Sequence, residues 1–322
     1  MKYDVSIIVP MFNAEKYLSE FLNSIFKQNT EYNYQLIIVD DGSTDHSSDI
    51  VKSFKIKHKN IILLSQKNKK QAAARNFGLE YAEGKYLLFL DCDDIIKYNM
   101  IQNMVQRAEQ GADLVMCGII KKFPNYDVIE NKTTIVCNSK EEVINNYLTK
   151  NKEIDVGLWN KLFRADIVRK NNLQFENKNF FEDSLFNLKY LSLCNPKKIY
   201  FDSTPYYMLF KHGDSTTTTY NAEIDALATN YIELVVNYLE SLELALDTNV
   251  EKAFRIRLLI HCLHHHIKYD EKFSFENQYK ENVKKLYSSK VVKKLSLKYR
   301  ISFFMIRYCF SIYRYIYKRG SI

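Results

Sequence analysis

The run Tyr86-Leu87-Leu88-Phe89-Leu90-Asp91-Cys92-Asp93-Asp94 decides the fold. Its first five residues are large and apolar with no charge, the composition of a strand buried on both faces. Three carboxylates within four positions then end it. Unpaired carboxylates are prohibitively costly in a core. They are therefore expected where the strand leaves the sheet, at its carboxyl end, the edge on which open α/β sheets bind ligands. Alternating carboxylates on such a turn suit a hard divalent cation that keeps positions open for phosphate oxygens. The alternative is a solvated strand-to-helix turn with Asp94 as helix N-cap.

Strand and helix patterns alternate before it. Val5–Pro10 reads as a first strand, and Asn13 as the cap of a helix over roughly 14–27, with Leu18, Phe21, Leu22 and Ile25 on one face. Leu36–Val39 is a second buried strand, ending in Asp40-Asp41-Gly42-Ser43-Thr44-Asp45. Ser43 and Thr44 are placed to cap the next helix, which carries Ile50, Val51 and Phe54. Ile61–Leu64 is a third strand, and Gln71–Tyr81 a helix closed by Gly84. This alternation predicts an α/β fold with a mostly parallel sheet flanked by helices. Two of its strands end in acidic turns on one edge.

With 322 residues, 46% hydrophobic and 26% charged, the chain is long enough for one large or two modest domains. Four prolines and eight glycines argue against long disordered linkers. The six cysteines are scattered without a C-x-x-C pair, which fits a reducing cytosol better than a zinc site or disulfide framework. Residues 1–10 run directly into a strand pattern, with no secretory pattern. The expected location is cytoplasmic. Net charge is +8, yet all eleven Lys and Arg after Glu281 stand without one acid, leaving 35 basic against 38 acidic residues elsewhere. Such a body is not the basic surface that nucleic-acid binding requires.

Four motifs in order now carry a resemblance: Ser6–Asn13 (SIIVPMFN), Asp40–Asp45 (DDGSTD), Ala74-Arg75-Asn76-Phe77-Gly78, and Leu90–Asp94. Together they resemble the motif series of family 2 glycosyltransferases, inverting enzymes with the GT-A (Rossmann-like) nucleotide-sugar fold. The similarity continues more loosely through Trp159–Arg164, Glu182-Asp183 and Tyr206–Ser215. It implies that Pro10 and Phe12 line a base pocket and that Asp41 accepts the uracil imide N–H. Asp91 would face the ribose with Cys92 beside it, and Asp93 would hold Mn²⁺ or Mg²⁺ on the diphosphate. Arg75 and Asn68 would hold the nucleotide's acidic groups, and Lys211 and His212 would meet the diphosphate or metal. Asp183 would be the general base, with Glu182 positioning the acceptor, although acids in a helix's first turn are also favoured by its dipole. Lys70 departs from the pattern, standing where the family usually has glycine, and its ammonium favours phosphate.

Asp113–Ile120 and Asp127–Val136 read as a strand hairpin over the site, and Ser139–Lys150 as a helix capped by Ser139. Trp159, the single tryptophan, is either a core anchor or a sugar-stacking platform. Phe180–Asp183 opens a helix running to about Cys194, and Tyr206–Phe210 is a strand. His261 and His265 have a metal-gripping spacing, but no carboxylate motif accompanies them. The expected organisation is a glycosyltransferase domain over 1–219, split near 120 into donor and acceptor halves, followed by a helical region over 220–322. In its tail, Tyr299–Lys318 reads as one helix with an arginine stripe and a broad apolar circumference. Two burials fit: against the protein itself or a dimer partner, or at an anionic bilayer.

The resemblance implies transfer of a sugar from a UDP-sugar to a hydroxyl of a glycan or lipid-linked glycan. The acceptor would belong to capsule, wall, exopolysaccharide or glycoprotein, at the inner face of the cell membrane. Two other readings use the same fold elements. One is a sugar nucleotidyltransferase, which would want a glycine-rich loop where Pro10-Met11-Phe12-Asn13 stands; the other is a non-catalytic nucleotide-sugar-binding subunit.

Overall fold

The structure, a computed structural model, describes residues 2–176, 180–211, 219–270 and 276–318. The chain divides into two compact units, one of residues 1–140 with 152–211, the other of 141–151 with 212–322. In chain order the elements are β1 (Tyr3–Met11), α1 (Glu15–Phe26), β2 (Tyr34–Asp40), α2 (Ser47–Lys57), β3 (Ile61–Ser65), α3 (Lys70–Glu80) and β4 (Gly84–Phe89). Next come β5 (Ile95–Ile96), α4 (Met100–Ala108), β6 (Leu114–Lys122), β7 (Asp127–Glu130) and α5 (Lys140–Lys150), the last grouped with the second unit. Then follow α6 (Glu153–Val156), β8 (Lys161–Arg164), α7 (Ala165–Lys170), α8 (Glu182–Leu193) and β9 (Ile199–Phe210). The second unit continues with α9 (Ile224–Ser241), α10 (Thr248–Tyr269), α11 (Glu276–Lys285), α12 (Ser289–Lys294), α13 (Leu297–Tyr308) and α14 (Phe310–Lys318).

The first unit is built on a sheet ordered β3-β2-β1-β4-β8-β6-β9-β5, with β7 added to β6. β1 through β4 are mutually parallel, β8 runs antiparallel between β4 and β6, and β6 and β9 are again parallel. This is the mixed, mostly parallel α/β sheet expected. The β1 and β2 interiors are fully buried, as their unbroken Val, Ile and Leu runs require. Leu18, Phe21, Leu22 and Ile25 of α1 pack into the same core.

Where β1, β2 and β4 enter the sheet, a buried polar cluster fixes their register. Ser6 Oγ donates to Gln35 Oε1 at 2.9 Å, and the backbone N–H of Glu83 and Gly84 donate to Gln35 Oε1 and Ser6 Oγ at 2.8 Å. Gly84 does not close the preceding helix as expected. It is the first residue of β4, and a Cβ there would lie 2.4 Å from the Ser6 backbone nitrogen.

The expected caps also differ. Asn13 does not cap α1; it sits at φ 48° and accepts from the Thr44 N–H at 2.8 Å. Ser43 and Thr44 do not cap α2 either. Ser47 Oγ accepts from Ala14 N–H at 2.8 Å and Asp45 Oδ2 from Glu15 N–H at 3.1 Å, while Glu15 Oε2 accepts from His46 N–H at 3.0 Å. Because β1 and β2 are adjacent and parallel, the starts of α1 and α2 lie side by side and satisfy each other's orphan donors. The expected hairpin forms between β6 and β7, but β7 ends at Glu130, and β6 is interior to the sheet.

In the second unit, the expected single helix over 299–318 is broken at Cys309 (φ −135°, ψ 43°) into α13 and α14. The α10 histidines are held by protein groups: His265 Nε2 accepts from the Asn221 N–H, His266 meets Asp225 at 2.8 Å, and His264 meets Tyr313. Among the described residues no helix is long and apolar enough to cross a membrane.

Candidate active site

The site lies on the edge where β1, β2 and β4 end, within the first unit. Asp41 is buried against β1, its N–H donating to Met11 O at 2.8 Å. Its Oδ1 accepts from Gln66 Nε2 at 2.7 Å and from the Lys69 N–H at 2.8 Å. Pro10 is half-buried in β1, and Phe12 beyond it is exposed. The 66–69 loop, with exposed Asn68, passes close over Gly42, where φ is +81° and a Cβ would meet Asn68 N at 3.0 Å. Lys70 opens α3 at φ 72°, the left-handed region that glycine adopts freely, which gives a physical reason for a glycine at this position.

The turn after β4 treats its carboxylates differently. Asp91 Oδ1 accepts from Arg75 Nη2 at 3.0 Å. Asp94 is neither a helix cap nor solvated, contrary to the expectation that none of the three enters the core. It is 2% exposed and accepts from Tyr207 Oη at 2.6 Å and from the Phe210 N–H at 2.7 Å. Burial, reinforced by Asp93 and Asp91, pushes its carboxyl well above the usual carboxylate range. Asp93 remains half-exposed between them. Burial likewise raises the Cys92 thiol, with Asp93 and Asp91 adding to it, so it is no nucleophile.

Arg75 joins this turn to the start of α8. It lies on the inner face of α3 with Ala72, Ala74 and Gly78, and is 1% exposed. Its Nη1 donates to Asp183 Oδ1 at 2.8 Å while Nη2 holds Asp91; its Nε has no hydrogen-bond partner. Burial works against this charge, but Asp183, Asp91 and Glu182 more than offset it and raise the guanidinium's pKa. Glu182 is buried and accepts from Gln71 Nε2. Asp183 keeps about a quarter of its side chain exposed (27%). Burial pushes it up to about 7, opposed by Arg75 and assisted by Glu182 and Asp91. The residue before this pair, Phe181, holds φ 66°, a strained conformation for an aromatic residue next to a candidate site.

Lys161, which the sequence left without a role, and Trp159, expected as either core anchor or stacking platform, are both buried. Lys161, fully buried, donates to Ile154 O at 2.9 Å, Asn160 Oδ1 at 3.0 Å and Gly157 O. Burial lowers its ammonium to about 7, with Asp155 and Asp183 opposing. Trp159 is 6% exposed and stacks on the Tyr207 ring at 4.7 Å, so it is a core anchor that braces the hydroxyl holding Asp94. Lys211 pairs with Glu153, which also takes Lys121 at 3.2 Å. His212 lies outside the described residues. Among those described, no three His, Cys, Asp or Glu side chains group to hold a metal ion. A cation here would rest on Asp93 with phosphate and water oxygens completing its shell, the donor set that Mg²⁺-type ions accept.

Acids and a buried arginine thus converge at the carboxyl ends of parallel strands, the edge on which open α/β sheets bind ligands. The family model of glycosyl transferase family 2 matches residues 6–171. The chain belongs to that family. It is 42% identical over 125 residues to glycosyltransferase GlyG of Streptococcus pneumoniae, covering 38% of this chain and 40% of GlyG. It is 29% identical over 281 residues to the minor teichoic acid biosynthesis protein GgaB of Bacillus subtilis, covering 80% of this chain and 29% of GgaB. The chain thus spans less than half the length of either relative. A crystal structure of S. aureus TarS 1–349 with UDP-GlcNAc superposes with a TM-score of 0.66 at 21% identity, covering 98% of this chain and 92% of that one. That likeness is one of fold.

Proposed function

We propose that the chain is an inverting glycosyltransferase that moves a sugar from a UDP-sugar to a hydroxyl of a glycan acceptor, with Asp183 as general base. The observation that carries this reading is Asp183 itself, raised to about 7 and linked through one buried arginine to the acidic turn at Asp91. A base is most effective with a pKa near the working pH, where it is both ionised and basic enough to take a proton. Asp183 would deprotonate the acceptor hydroxyl, which attacks the anomeric carbon from the face opposite the diphosphate. Glu182, anchored by Gln71, would position the acceptor. Asp41 would take the uracil N–H and Asp91 the ribose, with Arg75 and Asn68 on the donor's acidic groups and Pro10 and Phe12 flanking the base. Mn²⁺ or Mg²⁺ held by Asp93 would neutralise charge on the leaving diphosphate. Lys211, paired with Glu153, would serve the diphosphate side.

The similarity to GgaB, named for minor teichoic acid biosynthesis, and to TarS, solved with UDP-GlcNAc, supports a UDP-sugar donor and a cell-envelope glycan acceptor. We infer a lipid-linked acceptor of that kind at the inner membrane face, with the chain working beside it. The test is Asp183→Asn assayed for UDP release and donor affinity. Turnover should fall by roughly two to four orders of magnitude, the usual loss for a general base, with donor affinity held. Turnover retained in that variant would overturn the assignment.

A further inference from the structure

The second unit contains a helix that is apolar on two opposite sides. α13 buries Ser302, Phe303 and Ile306. At about 100° per residue, Leu297, Ile301, Phe304 and Tyr308 fall in one sector of about 60° pointing the other way. They are 72%, 50%, 46% and 69% exposed. Single exposed apolar side chains are ordinary, but an uninterrupted row along a helix marks an interaction surface. Ile312 and Tyr315 on α14, both 57% exposed, add to the apolar surface of this unit.

The charge along the same stretch of chain bears on what the row would meet. Lys284, Lys285, Lys290, Lys293, Lys294 and Lys298 are all exposed, and no acid follows Glu281, which already pairs with Lys284. Arg307 lies on one flank of the apolar row, over the rings of Tyr287 and Tyr308 at 4.7 and 5.3 Å. A second copy of the chain would bring one lysine-rich surface against another. An anionic bilayer answers both features: the apolar row enters the acyl boundary, tyrosines sit at the headgroup level, and lysine stems reach back to the phosphates. We propose that the Leu297, Ile301, Phe304 and Tyr308 face of α13 seats the chain on an anionic lipid surface. The proposal is independent of the glycosyl-transfer reading, since it concerns binding without donor or acceptor.

The full chain should co-sediment with phosphatidylglycerol/phosphatidylcholine vesicles at low salt, less at high salt, and not with phosphatidylcholine alone. The double variant Ile301→Glu/Phe304→Glu should bind at least about tenfold more weakly. Both side chains are exposed, so its far-UV circular dichroism and melting should match the parent; Ile301→Ser/Phe304→Ser serves if they do not. Charge is tested separately with Lys293→Gln/Lys294→Gln/Lys298→Gln, expected to lose the preference for anionic vesicles. No binding at low salt, or equal binding by the apolar variants, overturns the proposal. So does a solution dimer that the apolar variants dissolve while vesicles are ignored.

Discussion

Lys70 holds a left-handed backbone at φ 72° with a side chain that makes such a conformation costly, about 1–2 kcal/mol. Lys70→Gly relieves it but frees the unfolded chain, so the expected net gain is about 1 kcal/mol, read as a higher melting midpoint. An unchanged or lower midpoint would show that Lys70 is not strained. For Asp93, the nearly isosteric Asp93→Asn should abolish donor turnover while keeping the fold, and chelation by EDTA should mimic it. Full turnover in metal-free buffer would remove Asp93 from metal binding. For Asp183 the sign of the pH effect follows from its raised pKa. The base acts only as carboxylate, so kcat/KM should fall about tenfold per pH unit below about 7, a limb that Asp183→Asn removes. Protonation favours the fold at this group: its contribution is complete below about 3.8 and lost as pH rises through about 7. Asp41, Asp91 and Asp93 were legible in the sequence because acids directly after a buried apolar run belong at a sheet edge. Asp94 was misread because the Tyr207 hydroxyl that satisfies it lies 113 residues away. Arg75 was found by motif, but its bond to Asp183 spans 108 residues and leaves no local trace. The nearest hint is an arginine set among small residues on a helix face.

Elements in the first unit were legible wherever burial fixed their composition. The β1, β2 and β4 strands carry apolar runs, Ile7–Val9, Leu36–Val39 and Tyr86–Phe89, because those stretches are buried, and that pattern survives in any reading of the chain. Their ends were harder to read. Asn13, Ser43 and Thr44 are all plausible caps by residue type, yet the donors are satisfied across two loops that sequence shows only as 30 residues apart. The same cross-strand logic makes Gly84 critical. A Cβ there would sit 2.4 Å from backbone, which cannot swing aside as a side chain could. Gly84→Ala should therefore cost about 1–3 kcal/mol in denaturant unfolding, as overpacking typically does. Gln35→Leu should cost a similar amount, because the Glu83 N–H and Ser6 hydroxyl would lose their acceptor inside the sheet. Wild-type stability in both variants would mean the buried cluster does not set the register.

For the whole molecule, the alternation of strands and helices over the first ninety or so residues predicted the parallel half of the sheet. The other half was not predictable in the same way. β8 has four residues, β5 two, and their partners are set by tertiary packing rather than by period. Nor does any composition change announce that residues 141–151 group with the C-terminal helices. A donor that binds only the folded chain stabilises it, by about 2.7 kcal/mol at a hundredfold excess over Kd. UDP-sugars with Mn²⁺ should raise the melting temperature, and UDP alone should supply much of the shift, since the proposed contacts fall on base, ribose and diphosphate. Equal shifts with guanine nucleotides would refute the uracil assignment of Asp41.

The shared guanidinium of Arg75 has a thermodynamic corollary. One cation bonds both Asp91, assigned to the donor's ribose, and Asp183, assigned to the acceptor's proton, and the charge of Asp91 adds to the proton affinity of Asp183. A ribose hydroxyl donating to Asp91 would offset part of that charge and lower the proton affinity of Asp183. Donor uptake at mildly acidic pH should then expel a proton into the medium before any acceptor arrives. Calorimetric binding enthalpies would differ between buffers of unequal ionisation heat, and Asp183→Asn would erase the difference.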